Sequence, residues 1–148
     1  MAETEAMSAE PLFLQRFDVA GRDFAGAGKA SIKIKSILRE IGIAPAVMRR
    51  AAIAAYEAEM NVVLYARKGT MELRVTPRDI QITVCDEGSG IPDIGLAMQE
   101  GYSTASEEIR EMGFGAGMGL PNIQRNADTF HISSIVGQGT NLEIVIRV

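Results

Sequence analysis

Apolar and polar residues alternate one by one in "TMELRVT" (70–76) and "DIQITVCD" (79–86), the period of a half-buried strand. The Pro77–Arg78 step between them reads as the turn of a hairpin. "LFLQRFDV" (12–19) also has β character, and "TFHISSI" and "NLEIVIRV" predict two more strands around the turn "VGQGT". Helical patterning governs other stretches. "IKIKSILREIG" reads as a helix closed by Gly42, and "IGLAMQE" as a short one. Pro45 stands at a helix start, and the run 46–66, "AVMRRAAIAAYEAEMNVVLYA", is apolar on nearly all sides. Such a helix is buried among other elements rather than lying on a surface. A last helix is predicted from about Leu120. Several strands, few helices and no regular βαβ alternation predict an α+β two-layer sandwich with helices on one face of the sheet. Residues 1–10 are expected to be disordered, and 11–148 to form a single domain without internal repeats.

Composition narrows the classes of function. The 148 residues are 47% hydrophobic and 23% charged, as in a soluble globular domain. The net charge of −4 comes with no compensating basic stripe, which argues against direct nucleic-acid binding. Lys29, Lys33, Lys35 and Arg39 cluster locally, as one solvated helix face would. Cys85 is the only cysteine and His131 the only histidine, so a disulfide framework, a zinc cluster and a Ser-His-Asp triad are excluded or nearly so. The start, "MAETEAMSAEP", lacks the basic flank and apolar centre of a signal peptide, and no charge-free apolar run reaches spanning length. A cytoplasmic protein without membrane contact is expected.

Four stretches carry candidate chemistry. Glu57 and Asn61, four apart on the long helix, sit one above the other, on the side that also carries Ile53 and Leu64. Burying an unpaired carboxylate costs several kcal/mol, so a wholly structural Glu57 needs a partner, for which Arg50 is a candidate. The functional alternative is an amide oxygen for a hard cation and a carboxylate for proton transfer or water orientation. Second, "DEGSGI" (86–91) ends a strand on which Ile80, Ile82 and Val84 share a face with Asp86. An acceptor-only carboxylate there can take the exocyclic amino proton of adenine, where guanine presents a carbonyl, while Gly88 and Gly90 let backbone approach a flat base.

Third, "GFGAGMGL" places Gly113, Gly115, Gly117 and Gly119 ahead of the helix at Leu120. The charged "SEEIREM" before it is no strand, which rules out the dinucleotide fingerprint. Glycines that lead into a helix do fit a phosphate cradle. "GAGKAS" fails as a P-loop, because Asp23 occupies the required first glycine and Ala30 follows Lys29. Fourth, "GQGT" (137–140) is by itself a hairpin turn.

Taken in order, E-x-x-x-N on a helix, D-x-G-x-G-I after a strand, a glycine-rich run and G-x-G-T resemble the Bergerat-fold, or GHKL, ATPases of gyrase, Hsp90, histidine kinases and MutL. The resemblance runs from about residue 46 to the C-terminus. "AAYEAEMNVVLYARKGT", "DEGSGIPDI" and "GYST" look like the stand-alone anti-sigma regulatory serine kinases of bacteria, the RsbT-like group. The resemblance implies a mixed, mostly antiparallel sheet and an ATP- and Mg2+-dependent serine/threonine kinase. Its substrate would be a STAS-type antagonist, with partner switching that can involve a sigma factor, and a homodimer is compatible with it. By motif, Glu57 would be the catalytic base and Asn61 the Mg2+ ligand. Asp86, Gly88, Gly90 and Ile91 would hold the adenine side with Thr140, and Gly113, Gly115, Gly117, Gly119 and Leu120 would hold the phosphates. A non-catalytic nucleotide-gated binding module and a detached histidine-kinase catalytic domain remain alternatives. The segment after "GYST", with Glu107, Glu108 and Glu111, is longer and more acidic than in the shortest stressosome kinases, which leaves the subgroup and partner open. Ser103 and Thr104 read as lid hydroxyls or, more simply, as solvated loop residues.

Overall fold

The long apolar run organises the fold. In the computed structural model, which describes residues 11–99 and 119–148, it forms a helix over Pro45–Tyr65 with proline in its first turn. There the missing N–H is one the helix could not have used. Before it come strand β1 (Phe13–Ala20) and helix α1 (Lys29–Ile41), so the long helix is α2. After it come β2 (Ala66–Val75), β3 (Asp79–Gly88), the single-turn α3 (Ile94–Ala97), α4 (Gly119–Asn126), β4 (Thr129–Ile135) and β5 (Gly139–Arg147). Every element expected within the described residues is present. The predicted tail at 1–10 lies outside them.

The strands form one sheet in the order β1-β2-β3-β5-β4, and each neighbouring pair is antiparallel. The expectation of a mixed sheet is corrected here for the described strands. β3 and β4 do run in the same direction, but β5 lies between them and pairs antiparallel with both.

Alternation decides which face is covered. Met71, Leu73 and Val75 of β2, Ile80, Ile82 and Val84 of β3, and Leu142, Ile144 and Ile146 of β5 are all buried, and they meet the helices. Helix α2 packs between α1 and α4 and lies across β1, β2, β3 and β5. Ala51, Ala54, Ala55 and Ala58 are fully buried in it, and their small side chains let its neighbours come close. The two-layer sandwich follows from this single-sided burial.

Helix α1 ends as its sequence predicts. Gly42 takes a left-handed conformation (φ 93°), its N–H reaches Arg39 O at 3.1 Å, and Ile43 N–H reaches Leu38 O at 3.0 Å. This pair of hydrogen bonds is a Schellman cap. Its start is held from another helix altogether. Glu59, 2% exposed in α2, accepts the N–H groups of Gly28 (3.0 Å), Ala30 (3.3 Å) and Ser31 (2.9 Å). A carboxylate at a helix N-terminus satisfies donors that have no intrahelical partner and complements the helix dipole. "GAGKAS" is thus the loop that wraps a buried carboxylate. Glu59→Ala is expected to lower unfolding free energy by on the order of 3 kcal/mol, since it orphans buried N–H donors. Glu59→Gln, which keeps one acceptor oxygen, should lose less; denaturant titration of the three proteins checks the order.

Candidate functional site

Three polar side chains meet where α2 and α4 face each other. Glu57 and Asn61 project from α2, and Gly119 opens α4 directly against them. A side chain begun at Gly119 would place its Cβ 3.3 Å from Glu57 Oε2 and 3.4 Å from Asn61 Oδ1, tighter than or at the limit of ordinary contact. Glycine there keeps a side chain from crowding either oxygen. Asn122, one turn into α4, hydrogen-bonds the Glu57 carboxylate. Burial nevertheless pushes the Glu57 pKa up, the Asn122 bond opposing it only in part. The side of α2 that carries this pair opens outward, with Ile53 and Tyr56 37% and 39% exposed, whereas Leu64 is buried. The candidate ion partner Arg50 points elsewhere. Its Nε donates to Asn126 O (3.1 Å) and its Nη2 lies 3.4 Å from Asp128 Oδ1, so it ties α2 to the exit of α4 rather than pairing with Glu57.

Asp86 is placed as the alternation of β3 predicts, half-buried on the helix side of the sheet. Its Oδ1 accepts the Thr140 N–H at 3.0 Å. Among the described residues its other oxygen has no hydrogen-bond donor. Burial raises the Asp86 pKa, with the Thr140 bond again a partial counterweight. The loop after it is stapled to the β4–β5 turn: Gly88 N–H donates to Gln138 O (3.1 Å) and Gly137 N–H to Ser89 O (2.8 Å). Gly90 has φ 76°, and a Cβ there would stand 2.5 Å from Ile135 O, so both its conformation and its surroundings demand glycine. A Cβ at Gly139 of "GQGT" would collide with the Asp86 backbone carbonyl, so glycine there lets the turn approach Asp86 closely.

Ser134 joins these pieces. Its Oγ accepts the Ile91 N–H at 2.7 Å, lies 3.1 Å from Gly139 O and 2.8 Å from Thr140 Oγ1. Thr140 therefore supports Asp86 by its N–H and Ile91 through Ser134. The side chain of Leu120 is buried in the core. Gly88 and Ser89 also border an open pocket of about 310 Å³ with Gly21, Arg22, Tyr65, Ala66 and Arg67, which contains none of the three polar groups.

Of the residues singled out in the sequence, the fold brings Glu57, Asn61 and Gly119 together in one group and Asp86, Ile91 and Thr140 in another, with Gly88 and Gly90 in the loop between Asp86 and Ile91. Sequence patterning missed Asn122 and Ser134. For Asn122 a signal existed, a polar residue between the apolar Pro121 and Ile123, both of them buried. Gly113, Gly115, Gly117, Ser103, Thr104, Glu107, Glu108 and Glu111 lie outside the described residues.

Comparison with known sequences matches residues 26–146 to the histidine kinase-like ATPase domain. The chain belongs to this family. It is 30% identical over 115 residues to the serine/threonine-protein kinase RsbT of Bacillus subtilis, an alignment covering 75% of this chain and 80% of that protein. Against the anti-sigma F factor of Caldanaerobacter subterraneus it is 35% identical over 88 residues, 60% of this chain and 54% of that one. Among solved structures, that of the SiaB-SiaC complex from Pseudomonas aeruginosa superimposes with a TM-score of 0.63, covering 99% of this chain and 95% of that one at 14% identity. This last likeness is one of fold. As a histidine kinase-like ATPase domain, the protein is similar to a named kinase along most of its length. The expected superfamily, the RsbT-like affinity and an ATP-dependent kinase domain all agree with these matches.

Proposed function

We propose that this domain is an Mg2+-dependent serine/threonine protein kinase that transfers the γ-phosphoryl group of ATP to a small STAS-type regulatory protein and works in the cytoplasm by partner switching. The observation that carries the reading is the pairing of two half-buried carboxylates in distinct settings. Glu57 stands beside an amide oxygen at the mouth of α4, and Asp86 stands beside the Thr140 N–H at the sheet end.

Asp86 has one oxygen committed to Thr140 and, among the described residues, the other without a donor, which suits the exocyclic amino group of adenine. Gly88 and Gly90 keep side chains away from the base plane. At the other end, Gly119 starts α4 with N–H groups that face anions favourably. Asn61 supplies a hard oxygen ligand. Among the described residues no group of three His, Cys, Asp or Glu could cage a metal, and Mg2+ bound along with phosphates needs only one or two protein ligands. When bound, the ion neutralises charge on the phosphate oxygens. Glu57 accepts the proton of the incoming serine or threonine hydroxyl, and the Asn122 bond fixes the orientation of its carboxylate. Phosphoryl transfer asks chiefly for this positioning.

The pKa directions give a test. Only ionised Glu57 can act as a base, and burial raises its pKa. The transfer rate at saturating ATP should therefore fall as pH drops through a value above that of an ordinary glutamate. Because the Asp86 pKa is raised as well, ATP affinity should weaken in the same direction. The chemistry of the product decides the class of kinase: label on the partner should be acid-stable, as on serine or threonine. Acid-labile label would contradict the proposal and point to a detached histidine-kinase domain.

A further inference from the structure

Two arginines line the open pocket of about 310 Å³ where the ends of β1, α2 and β3 meet. Arg22 follows β1 and Arg67 stands at the start of β2, both exposed. Among the described residues neither guanidinium makes an ion pair. The acids beside the pocket in sequence are committed elsewhere: Asp23 accepts the Gly26 N–H at 3.0 Å, and Glu87 lies 3.2 Å from Lys68 Nζ. Two uncompensated cations thus share one concavity in a chain of net charge −4. The backbone at Arg22 is also strained. Its φ of 63° makes it the only non-glycine in the left-handed region among the described residues, and an L-residue pays for that conformation in steric repulsion. Such strain persists where surrounding bonds impose it, and it clusters at functional positions. Here Gly21 N–H donates to Arg67 O and Arg22 N–H to Val63 O, both at 2.8 Å. The walls are equally fixed. A Cβ at Gly21 would collide with the Ala66 carbonyl, and one at Gly88 would stand 2.9 Å from Tyr65 O. Backbone lies against backbone around the pocket, so the fold sets its shape.

We propose that this pocket binds a phosphate group, free or as a small monoester, between the Arg22 and Arg67 guanidiniums. A phosphate group carries about −1.5 to −2 charges at neutral pH, which two guanidiniums match, and their planar forks suit its oxygens. Ser89 lines the same pocket and carries a hydroxyl donor. Tyr65, 38% exposed, offers a ring to a group attached to the phosphate. The volume is at the small end of ligand pockets, which fits one phosphate with a small substituent and not a polymer. None of Glu57, Asn61 and Asp86 lines it, so it is not where the phosphates of ATP are placed above. Its wall nevertheless includes Gly88 and Ser89 of the Asp86–Ile91 loop, so an occupant touches the loop assigned to adenine. The site stands whether or not the domain transfers phosphate.

Calorimetric titration of the full chain with inorganic phosphate and with phenyl phosphate, in chloride buffer, tests this. The wild type should bind phosphate at one site. Tighter binding of phenyl phosphate identifies an organic monoester as the ligand, and equal or weaker binding the free ion. Arg22→Gly and Arg67→Ala should each weaken binding by about one to two decades, as the loss of a hydrogen bond to a charged group does. ATP affinity, measured without phosphate, should be unchanged in both. Glycine adopts φ 63° freely, so the thermal midpoint of Arg22→Gly should not fall, whereas a merely structural arginine would lower it on removal. No binding of either probe, binding indifferent to both substitutions, or displacement of phosphate one-for-one by ATP would overturn the proposal.

Discussion

Asp86→Asn should weaken ATP binding by one to two decades and remove the preference for adenine over guanine. The substitution is nearly isosteric, and the amide oxygen can still accept the Thr140 N–H, so the loop keeps its anchor. What changes is the other arm. An acceptor is replaced by an NH2 group, which meets the amino group of adenine donor to donor. A hydrogen bond to a charged group contributes about 1.5–3 kcal/mol, hence the one to two decades. Guanine carries a carbonyl at that place and should gain relative to adenine. Calorimetric titration with ATP and GTP reads both effects. The fold should not suffer: burial raises the Asp86 pKa, so at neutral pH the ionised carboxyl is less at ease in the folded chain than in the unfolded one. That disadvantage disappears when pH falls through the raised pKa, and equally when the group is neutral Asn. A loss of ATP affinity accompanied by unfolding would mean that Asp86 is structural.

Glu57→Ala should have the opposite profile. Phosphoryl transfer should drop by about 10²–10⁴, the span that a positioned general base contributes, while ATP affinity changes little. The separation follows from the geometry, since Glu57 and Asp86 belong to different groups and share no hydrogen-bond partner among the described residues. Glu57→Gln keeps the bond with Asn122 and removes only the basicity, so it should be as inactive as the alanine variant. Activity near wild type in the Gln variant would show that Glu57 positions Asn122 rather than accepting a proton.

What the sequence showed and what it hid divide along the distance between partners. Strand alternation fixes a side chain's face within a few residues, so Asp86 could be placed beside the helices from Ile80, Ile82 and Val84 alone. Helical spacing likewise put Glu57 and Asn61 together, and Gly42 marked the end of α1. Contacts across the chain left no such trace. Glu59 looks like another polar residue of an apolar helix until the loop at Gly28–Ser31 folds over it from about thirty residues away. Arg50 looks like a partner for Glu57, yet it reaches Asp128 and Asn126 across the helix layer. Ser134 sits in an edge strand and becomes a junction only because β5 enters the sheet beside β3 and brings Thr140 to Asp86. That insertion also made the described sheet antiparallel throughout.

Whether Glu57 serves catalysis on bound ATP is decided by incubating γ-labelled ATP with the purified protein and a small STAS-type partner, with wild type and Glu57→Ala side by side. Label should move onto the partner with wild type and stay on ATP with Glu57→Ala, although both proteins bind the nucleotide. Partner capture that depends on nucleotide, is equal in the two proteins and is never accompanied by labelled partner would contradict a catalytic role for Glu57.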